Sequence, residues 1–327
     1  MPSTYNKSFF LYLYNVVIES DDIRVLRSVS NWLDIGTLNG NSGRYLNGDK
    51  ITDLYLRFYS NDIDHISIEE FDEASFVGSF DDVKFYSSEK ASIFEIVNNG
   101  KSIVIVEKGS KSARAYICRE HLDIPWLLSH RIVFLPLMQL MRQHNAYYIH
   151  AGCVEKDGKC VLICGESGSG KSTLVYTLSR SGFSVVSDDA VFVQLVKGEI
   201  ILFALPERIK LTKTSCSFFT ELRAECDNGF KMEFPVKRTS IDQLALSGVP
   251  SLIVYPEITN SRRSKLIPMS KEEALIRLLQ QSVLPGYGDN VELNMDVLLK
   301  LCEKSSTYKF MFGRDFDEIA EIISTHL

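Results

Sequence analysis

The chain lacks any excess of basic residues: 36 Lys and Arg stand against 42 Asp and Glu in 327 residues, a formal net charge of -6. That balance excludes a protein drawn to nucleic acid or anionic lipid by overall charge. Long hydrophobic runs are also missing. The most apolar later stretch, Trp126 to Met141, is interrupted by Ser129-His130-Arg131 and by Pro136, so it is too short and too polar to span a bilayer. Near the start, "SFFLYLYNVVI" follows a single Lys7, has no small-residue cleavage site and runs straight into "ESDD". It reads as a first β-strand rather than a secretory signal. The seven cysteines form an odd set without a CxxC or zinc-like spacing, which points to reduced thiols in a reducing compartment. No fixed-period repeat or low-complexity linker is present. These absences predict a cytoplasmic protein of one large or two medium domains, with no membrane or nucleic-acid partner; they leave homo-oligomerisation open.

What is present begins with strands. Residues 1 to about 122 alternate apolar and polar residues or run apolar, as in "ITDLYLRFYS" and "KSIVIVEK", and predict a strand-rich N-terminal domain. From Pro125 to His144 the spacing of Leu128, Ile132, Leu135, Met138 and Met141 predicts a helix bent at Pro136. A domain boundary just before it divides the chain into 1–122 and 123–327. Two apolar runs then flank Asp157-Gly158, a two-residue hairpin turn. That turn sets Lys156 against Lys159 and places His150 opposite Gly165.

The segment "GESGSGKST" (Gly165, Glu166, Ser167, Gly168, Ser169, Gly170, Lys171, Ser172, Thr173) fits the phosphate-loop pattern G-x-x-x-x-G-K-[ST]. The apolar strand "CVLIC" leads in, and "KSTLVYTLSRSG" leads out as a helix with Leu174 and Leu178 on one face, ending at Gly182. The residue types follow from the chemistry. Glycines let backbone N–H groups turn inward around phosphate oxygens, and the helix N-terminus adds partial positive charge. Lys171 reaches the β- and γ-phosphates, and the Ser172 hydroxyl is a Mg²⁺ ligand.

Asp188 and Asp189 stand side by side in "SVVSDDAVFV", which otherwise reads as a buried strand. A surface turn accounts for many such doublets. Here the pair follows Lys171 by one helix and one strand, where phosphate-loop proteins need a carboxylate beside the metal. Neighbouring side chains of an extended chain face opposite ways, so one can serve the metal and the other the acceptor. The assignment is Asp189 with Ser172 on Mg²⁺ and Asp188 as base, with the swap left open. His150, at the phosphate end of the sheet, is then placed to hydrogen-bond Asp188 and orient it.

Taken together, "IHAG…VLICGESGSGKSTL…SGFSVVSDDAVFV" resembles the catalytic core of the HPr kinase/phosphorylase superfamily. The later segments "LPERIKL", "SLIVYPEI", "PMSKEEALIRLL" and "STYKFMFGRDFDEIAEII" resemble the HPr kinase-related proteins found beside peptide-modifying systems. The likeness covers roughly residues 125 to 327. It implies an α/β, phosphoenolpyruvate-carboxykinase-like P-loop kinase core, Mg-ATP as donor, and a serine hydroxyl of a peptide or protein as acceptor. One such acceptor is the C-terminal serine of a ribosomal precursor peptide. By position it implies the roles given above for His150, Lys171, Ser172, Asp188 and Asp189. The superfamily's downstream Glu-Ile-Arg-Gly-Leu-Gly segment is absent, which removes the expectation of phosphorylase activity and of HPr as substrate. Two other readings compete: a small-molecule P-loop kinase, and a non-catalytic ATP-gated binding or assembly module, for which "LALSGVP" is only an echo of the signature required.

Remaining polar candidates read mainly as structure. Arg208 and Lys210 share one face if extended and lie on a solvated strand edge or bind phosphate. Arg262 and Arg263 read as a solvated pair. Ser270 to Glu273 predicts a capping box for a helix with Leu275, Leu278 and Leu279 in its core stripe. Asp315 is expected to cap the last helix, which buries Phe316, Ile319 and Ile323.

Overall fold

The computed structural model describes residues 4–32, 51–60, 74–205, 209–222, 231–234, 247–282 and 291–327. The chain is mixed α/β with two large mixed sheets. It divides into two compact units: Met1–Tyr147 with Val283–Val291, and Tyr148–Ser282 with Glu292–Leu327. The helical stretch after residue 122, assigned above to the second domain, falls within the first unit.

In the first unit, the N-terminal apolar run is a hairpin of two strands rather than one. β1 (Tyr5–Leu11) and β2 (Tyr14–Ser20) pair antiparallel across a turn at Tyr12, whose φ of 51° reverses the chain. A ten-residue helix that the strand pattern concealed follows, α1 (Ile23–Trp32), burying Val25, Leu26, Val29 and Trp32. Asp22 starts it by accepting the Arg24 N–H at 2.8 Å, a side-chain cap on an otherwise unpaired donor. β3 (Thr52–Tyr59), β4 (Ser75–Phe80), β5 (Val83–Ser87), β6 (Ala91–Val97), β7 (Lys101–Glu107) and β8 (Ser112–Tyr116) complete a sheet in the order β1-β2-β3-β8-β7-β6-β5-β4.

After the short α2 (Arg119–Leu122) and α3 (Pro125–Leu127), a wide π-helical turn over Leu128–Val133 leads into α4 (Phe134–Gln143). The irregularity lies one turn before the bend expected at Pro136. Ile132, whose carbonyl the proline ring would strike in a regular helix, lies inside the widened turn.

The second unit starts from the hairpin read in the sequence. β9 (Ala146–Lys156) and β10 (Lys159–Cys164) pair antiparallel, with Lys156 opposite Lys159 and Ala151 opposite Cys164. Asp157 (φ 55°) and Gly158 (φ 81°) form the turn. Helix α5 (Lys171–Arg180) follows and ends where Gly182 adopts φ 89°, its N–H and that of Phe183 bonding back to Ser179 and Leu178. Then come β11 (Ser184–Ser187), β12 (Ala190–Val196), β13 (Glu199–Ala204), β14 (Ile209–Thr212), the short α6 (Lys213–Ser217), β15 (Lys231–Phe234) and β16 (Ser247–Ile258). The chain ends with β17 (Lys265–Pro268), α7 (Lys271–Ser282), α8 (Val291–Lys304), β18 (Ser306–Phe312) and α9 (Ile319–Ser324).

β10, β16 and β18 run parallel as neighbours, so their carboxyl ends emerge on the same side. α5 and α9 pack on this sheet through Leu174, Leu178, Ile319 and Ile323 against Ile163, Val254 and Phe310. The Ser270 hydroxyl accepts the Glu273 N–H at the start of α7, as the capping pattern predicts. Among the described residues no helix is long and apolar enough to cross a membrane, and the six described cysteines are all buried and form no disulfide with one another.

Candidate functional site

The loop between β10 and α5 has the backbone its glycines allow. Gly165 (φ 151°), Gly168 (φ 85°) and Gly170 (φ 104°) all occupy positive φ, a region L side chains rarely enter. At Gly165 a Cβ would also sit 2.8 Å from the Ser169 hydroxyl, and at Gly170 one would sit 3.0 Å from the Phe312 ring. Gly170 caps α5, whose first helical bond runs from the Leu174 N–H to its carbonyl. Lys171 folds over the loop, donating to the carbonyls of Gly165 (2.6 Å) and Glu166 (3.1 Å).

The aspartate doublet sits at a break between strands, not within one. β11 pairs β9 and stops at Ser187; β12 resumes at Ala190. The Ser187 hydroxyl accepts the N–H groups of Asp189 (3.2 Å) and Ala190 (3.0 Å), holding the bend. The two carboxylates therefore meet different surroundings. Asp188 is buried, accepts the Lys210 backbone N–H on Oδ2 at 2.9 Å, and leaves Oδ1 buried with no hydrogen-bond partner among the described residues. Burial pushes its pKa up to about 6; Asp189 also raises it, while the Lys210 N–H and the nearby Ser172 hydroxyl pull the other way. Asp189 lines the cavity and accepts a 3.0 Å hydrogen bond from His150 Nδ1. Burial raises its pKa too, but His150, Lys210 and Lys171 outweigh that and hold it down at about 2.

This reverses the expected partners. His150 hydrogen-bonds Asp189, not Asp188, and Ser172 neighbours Asp188, not Asp189. The hairpin register read from the sequence holds as far as Ala151 opposite Cys164; which aspartate meets His150 depends on the bend, which a straight-strand reading does not contain.

A cavity of about 460 Å³ lies over the loop. Ser167, Gly168, Gly170, Lys171, Ser172 and Thr173 line it, while Gly165, Glu166 and Ser169 shape the loop behind it. Thr173 turns its hydroxyl to Ser215 (2.9 Å), which together with Thr212 ties α5 to β14 and α6. Lys210, expected on a solvated strand edge or at phosphate, lines the cavity with Lys171 and Arg314, so among the described lining residues cations outnumber the one carboxylate, Asp189. Arg208 lies outside the described residues. Arg262 and Arg263 are exposed and do not line the cavity. Asp315 accepts the Ser264 N–H and hydroxyl, fastening the 259–264 loop instead of capping α9, which follows Glu318.

The sequence carries no sign of the cavity's outer wall: Ile258, Thr259 and Asn260 at the end of β16, and Phe312, Gly313 and Arg314 at the end of β18. With the loop after β10, these are the carboxyl ends of the parallel strands, where open α/β sheets place their ligands. Gly313 permits the arrangement, because a Cβ there would meet the Arg263 backbone at 2.7 Å.

No family model and no curated protein matches the chain. Among solved structures it is similar to the HPr(Ser) kinase/phosphatase from Coxiella burnetii, with 14% identity over 55% of this chain and 95% of that chain, at a TM-score of 0.30. That score is too low to carry fold or activity from one protein to the other.

Proposed function

We propose that the second unit is an ATP-dependent serine kinase of phosphoenolpyruvate-carboxykinase-like P-loop type, transferring the γ-phosphate to a serine hydroxyl of a peptide or protein. One observation carries the reading. Lys171, Ser172, Asp188, Asp189 and His150 converge beside one cavity whose floor is a glycine loop at a helix N-terminus. The loop N–H groups and Lys171 suit a polyphosphate; the lysine exchanges its loop carbonyls for phosphate oxygens when nucleotide arrives.

Ser172 and Oδ1 of Asp188, which has no donor among the described residues, fit a divalent cation, since a buried carboxylate oxygen without a donor is costly unless a cation meets it. Among the described residues no group of three or more His, Cys, Asp and Glu forms a cage, and Mg²⁺ at phosphoryl-transfer sites typically takes one or two protein carboxylates alongside phosphate oxygens. When bound, Mg²⁺ neutralises charge on the β- and γ-oxygens.

Asp189, ionised at neutral pH and held by His150, accepts the hydrogen bond of the incoming serine hydroxyl and takes its proton as the O–P bond forms. The bond from γ-phosphorus to the β–γ bridging oxygen breaks, and ADP leaves with that electron pair. Because the transition state is loose, holding the hydroxyl in line matters at least as much as basicity.

The test is incubation of the protein with Mg-ATP and serine-containing peptides, read by mass spectrometry. A gain of one phosphate that Lys171→Ala abolishes supports the reading. ATP hydrolysis without any phosphorylated acceptor, or phosphorylation of small metabolites alone, overturns it.

A further inference from the structure

Half of the cavity has no part in the transfer chemistry, and its composition differs from the phosphate half. Phe312 packs against the Gly170 position that caps α5, since a Cβ there would lie 3.0 Å from its ring and 3.4 Å from Ile258 Cγ1. From Phe312 a row of rings leads outward: Phe316 at 5.8 Å between centroids, then Phe218 at 5.2 Å from Phe316 with the planes tilted by 30°. Phe219 abuts Phe316 edge-on at 5.4 Å, so Phe316 is fixed from several sides. Phe218 and Ile258 remain 46% and 66% exposed although both line the cavity. Large apolar side chains left open around a cavity mark a ligand site more often than a packing defect.

We propose that this row is a nucleobase shelf: the purine of the nucleoside triphosphate stacks on Phe218 and is flanked by Ile258, while its phosphates lie in the Gly165–Thr173 loop. The proposal rests on the phosphate-loop reading, because continuity with that loop in one cavity selects a nucleotide over another flat ligand. Stacking on an aromatic face is nearly indifferent to the exocyclic groups of the base. The shelf therefore contributes affinity, and ATP and GTP draw on it alike.

Calorimetric titration of the full chain with Mg-ATP, Mg-GTP and Mg-tripolyphosphate separates the two claims. Phe218→Ala is expected to weaken both nucleotides by about tenfold, as loss of one base–aromatic stack does, and to leave tripolyphosphate binding unchanged. Phe218→Trp keeps nucleotide affinity. Ile258→Ala, at an exposed position on a strand end, weakens the nucleotides without touching tripolyphosphate and guards against misfolding of the first variant. Unchanged ATP affinity in both alanine variants overturns the shelf, as does an equal loss of tripolyphosphate in both. Tripolyphosphate binding that survives Lys171→Ala overturns the phosphate-loop reading whatever Phe218 does, and a wild-type protein that binds none of the three overturns both.

Discussion

Asp188 and Asp189 are chemically identical and adjacent, yet one is buried against a backbone N–H and the other faces a cavity beside a histidine. The environment sets opposite tasks. A folded-state pKa raised to about 6 makes Asp188 a group whose contribution to stability is present below its unfolded value near 4 and is lost as pH rises through 6. The ligand-free protein above pH 6 therefore carries a buried charge that costs roughly 3 kcal/mol at most. Asp188→Asn should raise the ligand-free melting temperature at pH 8, with the gain shrinking towards pH 4, and should abolish phosphate transfer. A melting series across pH with an activity assay checks both; a variant no more stable than wild type at pH 8 contradicts the assignment. The same proton competes with a cation, so the Mg²⁺ concentration for half-maximal activity should climb as pH falls below 6. Asp189, held at about 2, stays ionised throughout that range. Asp189→Asn and His150→Ala should lower kcat by about 10²- to 10⁴-fold, the usual share of a positioned base, while nucleotide affinity measured by titration stays near wild type.

At the scale of elements, the site depends on how closely α5 approaches β9. Gly152 leaves the room: a Cβ there would lie 2.6 Å from Val175 Cγ2 and 3.4 Å from the Asp188 carbonyl. Valine is stiff at χ1, so Gly152→Ala must push the helix or the aspartate bend. A loss of about 1–3 kcal/mol, the usual range for overpacking a tight core, is expected in denaturant unfolding, together with weaker nucleotide binding. Elements with local signals were legible in advance. Asp157-Gly158 set the hairpin register, and the glycine loop and Gly182 bounded α5, because each depends on a few adjacent residues adopting positive φ. Helix α1 carried its own signals, the Asp22 cap and the spacing of Val25, Leu26, Val29 and Trp32, but ten residues between strands make too short a period to stand out. The break at Asp188 had one local signal, an Asp-Asp doublet that also suits a turn, but the apolar residues on both sides read as a continuing strand, and the bend is held by the Ser187 hydroxyl. The outer wall of the cavity was illegible for a different reason. Ile258 and Phe312 are distant in sequence from the loop and reach it only through the parallel pairing of β10, β16 and β18, which no local pattern encodes.

For the molecule as a whole, two compact units make different thermodynamic demands. The cavity, the loop and both aspartates belong to the unit of Tyr148–Ser282 and Glu292–Leu327. Every described residue that lines the cavity belongs to this second unit, so on the proposed reading a nucleotide stabilises that unit directly. A ligand that binds one folded unit stabilises that unit by mass action, about 4 kcal/mol at a thousandfold excess over Kd, and stabilises the other only as far as the two are coupled. Scanning calorimetry should then resolve two transitions, of which saturating Mg-ATP raises one. We propose that the strand-rich first unit recognises the acceptor peptide. On that proposal a peptide that gains phosphate in the mass-spectrometric assay should raise the second transition when added without nucleotide, and Lys171→Ala should cancel the Mg-ATP shift while keeping the peptide shift. A peptide that moves only the nucleotide-sensitive transition places acceptor recognition beside the aspartates instead and leaves the first unit without a part in the reaction.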